Sequence, residues 1–175
     1  MRYRPQPHRP PRPYAQALER APWNYDLVRR LADFYRRRGQ ATAAIQLYEK
    51  RRDLFPERAE FHEALGRLYE EAGRIEEAVA AYAQAVQRGR AQPATYLRLA
   101  NFYGQQRRYD LVAATSRALL VRDPDQSEAH RLLAFVLRHQ GREDEAVAHV
   151  RAYLELAPEG ESAAEFARWL RARAN

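Results

Sequence analysis

A period of 34 residues runs through this 175-residue chain and constrains its fold more than any other feature. Four small residues mark the period, each preceded by a leucine and followed two places later by an apolar residue: Ala32, Gly66, Ala100 and Ala134. A second set keeps the same register: Ala44, Ala78, Val112 and Ala146. Self-similarity at 20–50 residues indicates one supersecondary unit stacked on copies of itself.

Each repeat has the pattern of two helices. Between the markers the apolar residues fall at helical spacing, as at Leu27, Leu31 and Phe34. A glycine that suits the left-handed end of a first helix stands at Gly39, Gly73 and Gly141, with Arg107 in the remaining repeat. A proline that prevents continuation of the second helix stands at Pro56, Pro124 and Pro158, with Arg90 in the remaining repeat. We therefore predict an all-α chain without strands.

These residues resemble the tetratricopeptide repeat family. The repeat over 59–92 carries the family pattern best, at Leu65-Gly66, Tyr69, Ala78, Tyr82 and Ala85. The other repeats depart from the pattern at one or two of its positions, for example Arg51 where the family has alanine. The resemblance implies a right-handed α-solenoid of antiparallel helix pairs.

The period also predicts the organisation of the chain. Residues 25–160 divide into four repeats, at 25–58, 59–92, 93–126 and 127–160. Residues 14–24 match the second helix of a repeat and predict an N-terminal half-repeat. Residues 161–175 predict a capping helix, because Arg168 and Arg171 stand where a following helix would pack. Residues 1–13 predict a basic arm rich in proline and arginine that is disordered.

In this family the first helices line a concave groove that binds a peptide or helix of a partner protein. The resemblance assigns ten residues of this chain to the groove: Arg29, Asp33, Arg36, Glu63, Arg67, Leu97, Asn101, Arg131, Phe135 and Arg138. Leu97 and Phe135 are apolar where solvent is expected, so they are candidate anchors for a partner side chain. Alternatively, the charged members pair with one another along solvated helices.

The first 13 residues hold five prolines, four arginines and no acid, within a chain of net charge +7. The four arginines of this segment could contact nucleic acid, another polyanion or an anionic surface. They are Arg2, Arg4, Arg9 and Arg12. Three functions therefore stay open. They are a scaffold or adaptor that holds a partner segment in the groove, a nucleic-acid-associated or polyanion-associated protein, and an accessory subunit docked by its convex face or ends.

The sequence offers little for catalysis. There is no Cys, the five His are scattered, and no P-loop, H-E-x-x-H or G-x-S-x-G motif occurs. We therefore predict a non-enzymatic protein with no cofactor and no metal site. The N-terminal residues lack the apolar core of a secretory signal, which favours a cytoplasmic location. Oligomeric state cannot be read from the sequence.

Overall fold

The computed structural model describes residue 10 and residues 12–174, and the chain divides between Ala91 and Gln92 into two compact units. The described part of the first unit holds five helices: α1 (Arg12–Arg20), α2 (Tyr25–Arg37), α3 (Ala41–Leu54), α4 (Ala59–Glu71) and α5 (Ile75–Gln87). The second unit holds α6 (Pro93–Gln105), α7 (Tyr109–Arg122), α8 (Ser127–His139), α9 (Glu143–Leu156) and α10 (Ala163–Ala174). No strand occurs among these residues, so the predicted all-α class is confirmed.

The turns inside the repeats follow the glycine positions. Gly39, Gly73 and Gly141 have φ values of 70°, 72° and 72° where first helices end. Arg107 adopts the same left-handed conformation with φ 57°, although a side chain makes it unfavourable. The turn geometry is therefore set by the repeat, and the third repeat adopts it without glycine.

In the first unit, consecutive helices pack through the small residues that mark the period. Ala32 and Ala44 are 2% and 0% exposed. Gly66 lies against the ring of Tyr82, and a Cβ on Gly66 would lie 2.5 Å from Tyr82 Cδ1 and 2.8 Å from Tyr82 Cζ. Helix α4 packs on both α3 and α5, and residues 59–66 are almost all buried. This is the most tightly packed crossing in the unit.

The core of the second unit lies where α7, α8 and α9 meet. Leu133, Val136, Leu137 and Ala146 are all 1% exposed or less and form one cluster with neighbouring apolar residues. Helix α10 packs on α9, since Phe166 is buried with its ring centroid 5.4 Å from that of Tyr153. Arg168 and Arg171 of α10 are exposed.

Candidate functional site

The first helices of the first unit form a small charged cleft. Between α2 and α4 lies a space of about 170 Å³, lined by Arg29, Asp33, Arg36, Arg67 and Glu71 among others. The structure thus brings together four of the predicted groove residues in this unit.

The charges in this cleft are largely matched within the protein. Arg36 pairs with Asp33 at 3.3 Å on α2 and with Glu71 at 2.9 Å on α4. Arg29 donates to Asp26 at 2.6 Å, and this hydrogen bond raises the pKa of Arg29 and lowers that of Asp26. Arg67 donates more weakly to the hydroxyl of Tyr25, at 3.4 Å. The charged side chains of this cleft thus pair largely with one another, as the alternative interpretation of the sequence predicts.

Glu63 is buried, although the sequence predicts it on the accessible surface of the groove. It is 4% exposed, because α4 is enclosed by the helices on either side and buries this part of its surface. A partner therefore has almost no access to the Glu63 carboxylate in this conformation.

The first helices of the second unit form a larger and more apolar cleft. A space of about 480 Å³ lies between α6 and α8, and its lining includes Asn101, Gly104, Arg131, Leu132 and Phe135. Gly104 leaves this space open, since the nearest atom to a Cβ built on it is Cγ2 of Val112 at 4.0 Å. Phe135 is 52% exposed, which is unusual for an aromatic ring on a helix.

Arg131 is held in place within this cleft. Its guanidinium makes a two-pronged contact with Glu128, at 2.8 Å through Nε and 2.5 Å through Nη2. These hydrogen bonds raise the pKa of Arg131. The cleft therefore presents a fixed charged pair beside an exposed aromatic ring.

The remaining two predicted residues of this unit are engaged elsewhere. Leu97 is half-buried and packs against the core cluster of α7 and α8, so it is partly a core residue. Arg138 lies 4.9 Å from the ring centroid of Trp169 and pairs with Glu165 at 2.7 Å, both on α10. Arg138, Glu165 and Trp169 border, together with Phe135, a neighbouring space of about 320 Å³. The sequence pattern did not reveal that α10 supplies Trp169 to this surface.

Two histidines, His130 on α8 and His149 on α9, meet in the second unit. Nδ1 of His130 lies 3.0 Å from Nδ1 of His149, and Nε2 of His130 lies 2.9 Å from the carbonyl oxygen of Pro124. A carbonyl only accepts, so Nε2 of His130 carries the proton and Nδ1 of His149 donates to His130. Within the described residues, no three His, Cys, Asp or Glu side chains form a metal-binding group.

The predicted polyanion contacts mostly fall outside the described residues. Arg2, Arg4 and Arg9 lie there, while Arg12 is exposed as the first residue of α1. The arm therefore stays a prediction. Among the described helices, none combines the length and apolar character needed to cross a membrane.

Helix pairs repeated at 34 residues define a helical repeat protein, and comparison with known families identifies which one. Models described as tetratricopeptide repeat match residues 14–68, 35–100 and 97–161. The chain belongs to the tetratricopeptide repeat family, and the resemblance predicted from the sequence is confirmed.

Solved structures agree on the fold. A crystal structure of MamA is 22% identical, with a TM-score of 0.63 over 85% of this chain and 86% of that one. YrrB, described as a TPR protein with an unusual peptide-binding site, is 18% identical, with a TM-score of 0.65 over 83% and 75%. MamA from Desulfovibrio magneticus RS-1 is 16% identical, with a TM-score of 0.60 over 77% and 76%. A sequence comparison with curated proteins gave no match.

Proposed function

We propose that this protein is an interaction scaffold that binds a segment of another protein at the α6–α8 cleft, with Phe135 as the main apolar anchor. A role in protein interaction follows from the family, whose repeats serve generally as non-catalytic interaction modules. The proposal adds the place where the partner binds and the side chains that hold it.

The exposed ring of Phe135 carries the proposal. An aromatic side chain that is 52% exposed beside a cleft of about 480 Å³ leaves apolar surface in water. Full burial of an exposed Phe side chain gains about 1.5–3 kcal/mol, and covering the exposed half of Phe135 gains about half of that. Aromatic anchors of this kind dominate protein interfaces. A bulky apolar side chain of the partner would fill the space that Gly104 leaves open.

The polar residues around the ring suit a peptide backbone. Asn101 is exposed on α6 and offers both a donor and an acceptor. Arg131 is already oriented by Glu128, so little side-chain entropy is lost when it meets a partner carbonyl. YrrB is described as binding a peptide, which supports the same class of partner for this fold.

A photo-crosslinking experiment can test the site. A benzophenone amino acid is placed at position 135, and a matched control places it at Val121, which is 85% exposed on α7 of the same unit. We expect position 135 to capture a discrete protein and position 121 to capture little. Capture only through Val121 would favour docking as an accessory subunit by another face.

Affinity for the captured partner then decides the proposal. We expect Phe135→Ala to weaken binding by at least about tenfold, in line with an anchor worth more than about 1.4 kcal/mol. The control Val121→Ala should change the Kd less than twofold, and both variants should keep the wild-type helicity and melting temperature. An unchanged Kd for Phe135→Ala would exclude this site.

A further inference from the structure

A second candidate site lies in the first unit, on the side formed by second helices. A cleft of about 490 Å³ opens between α1, α2 and α3, and Arg51 of α3 lies in its lining. Arg51 is 8% exposed, and its Nε is buried without a hydrogen-bond partner. Among the described residues, its side chain makes no ion pair.

The repeat pattern shows that Arg51 is not needed for packing. The equivalent positions in the other three repeats are Ala85, Leu119 and Tyr153, which are 0%, 1% and 3% exposed. An uncharged side chain therefore fills this position in each of the other three repeats. Burial lowers the pKa of the Arg51 guanidinium, which reflects the cost of removing the charge from water.

The residues that the structure describes do not supply Arg51 with a fixed counter-charge. Glu19 is the single acidic residue among the described residues that line the cleft, and it is exposed on α1. Lys50 also lines the cleft, so basic groups exceed acidic ones there. Residues 1–11 of the sequence contain no acidic residue.

Apart from Gln46 and Tyr35, the rest of the lining is apolar. Leu18, Leu31 and Ala43 are buried at the base of the cleft, and Leu47 is half-buried beside them. A buried guanidinium beside apolar walls suits a ligand with an anionic head and an apolar body, and the volume lies in the range of small-ligand pockets. An inorganic anion would leave those walls uncovered.

We propose that the cleft between α1 and α3 binds a carboxylate attached to an apolar body, with Arg51 as the charge partner. The carboxylate could belong to a free acid or to the C-terminal end of a protein, since both present the same two oxygens. This site is separate from the α6–α8 cleft and does not depend on the function proposed there.

Calorimetric titration of the full chain tests the proposal. The probes are octanoate, its neutral amide, inorganic phosphate, and an acetylated tetrapeptide ending in leucine with either a free carboxylate or an amide. We expect at least one of the two carboxylates to bind, and its amide to bind at least tenfold more weakly. Preference for octanoate points to a free acid, and preference for the peptide carboxylate points to a protein end.

Variants assign the binding to Arg51. Arg51→Met keeps an apolar stem and should weaken carboxylate binding at least tenfold without lowering the melting temperature. Arg37→Met, on an exposed arginine at the end of α2, should leave the affinity within twofold. Glu19→Gln removes a repelling charge and should strengthen binding severalfold, which tests the site even if Arg51→Met fails to fold.

Three results would overturn the proposal. One is that neither carboxylate binds at millimolar concentration. Another is that Arg51→Met, or Glu19→Gln where Arg51→Met does not fold, leaves carboxylate affinity unchanged. The third is that the amides or phosphate bind as tightly as the carboxylates, since the site would then not select a carboxylate with an apolar body.

Discussion

The two units build their first helices on one pattern, yet the same repeat position carries different side chains in each. In the first unit it holds Asp33 and Arg67, and in the second it holds Asn101 and Phe135. The α2–α4 cleft is small and its charges are paired, whereas the α6–α8 cleft is larger and has an exposed ring. The repeat therefore fixes where a side chain points, and the residue at that position decides whether the surface is already satisfied or open to a partner.

The two units also differ in the space around a helical glycine, Gly66 in the first and Gly104 in the second. Substitution of Gly66 is expected to cause the largest loss of stability. A Cβ on Gly66 would overlap the ring of Tyr82, which is completely buried and cannot move aside. Gly66→Ala should cost about 1–3 kcal/mol of unfolding free energy, and Gly66→Leu at least as much. Thermal and urea denaturation measure the change.

Gly104 is the matched control in the second unit, because a Cβ there has room. Gly104→Ala should be neutral or gain up to about 1 kcal/mol, since alanine favours a helix. Equal destabilisation by both alanine variants would show that the two crossings do not differ as described.

Histidines give a second contrast, this time in the response to acid. His62 contacts the carbonyl of Pro56 at 3.0 Å and lies near Arg88 and Arg52, whereas His130 contacts the equivalent carbonyl of Pro124 and also faces His149. Burial lowers the pKa of His62 and of His149 from the ordinary value of 6.5, and the neighbouring His130 and Arg117 lower that of His149 further, against an opposing effect of Glu145.

Because the folded pKa is lowered, the unfolded chain takes up the proton first as pH falls. The contribution of these histidines to the free energy of unfolding is therefore fully present above about pH 6.5 and decreases below it. We expect the melting temperature to fall between pH 7.5 and 5.5, and His149→Ala to reduce that fall. His62→Val supplies the comparison from the first unit. A pH response that is identical in wild type and both variants would argue against a role for these histidines.

Arg107 offers a smaller test of the repeat geometry. Its left-handed backbone is the conformation that Gly39 and Gly73 adopt in the first unit. Arg107→Gly should stabilise the protein by about 1 kcal/mol, because glycine removes the steric cost of a positive φ. That gain corresponds to a rise of about 2–4 °C in melting temperature for a chain of this size. Gly73→Arg should produce a loss of similar size, and a gain from it would be inconsistent with the assigned turn.

The sequence predicted the fold because the period involves many residues that act together. Leucines, small residues and turn glycines all agree on one register, so a single departure such as Arg107 does not disturb it. The surfaces were harder to predict. The burial of Glu63 depends on how closely α3 and α5 enclose α4, and the engagement of Arg138 depends on where α10 places Trp169. A helical period encodes neither the spacing of α4 from its neighbours nor the position of α10.

The paired charges of the first unit provide the last and smallest test. Arg36 and Glu71 join α2 to α4 at 2.9 Å, but their side chains are 43% and 52% exposed, so water and salt screen the attraction. Arg36→Gln and Glu71→Gln should each change the unfolding free energy by less than about 1 kcal/mol, with the double variant close to either single one. Neither should alter affinity for a partner bound at the α6–α8 cleft more than twofold. A larger loss of affinity would mean that the charged cleft also contacts the partner, and the functional contrast between the units would have to be abandoned.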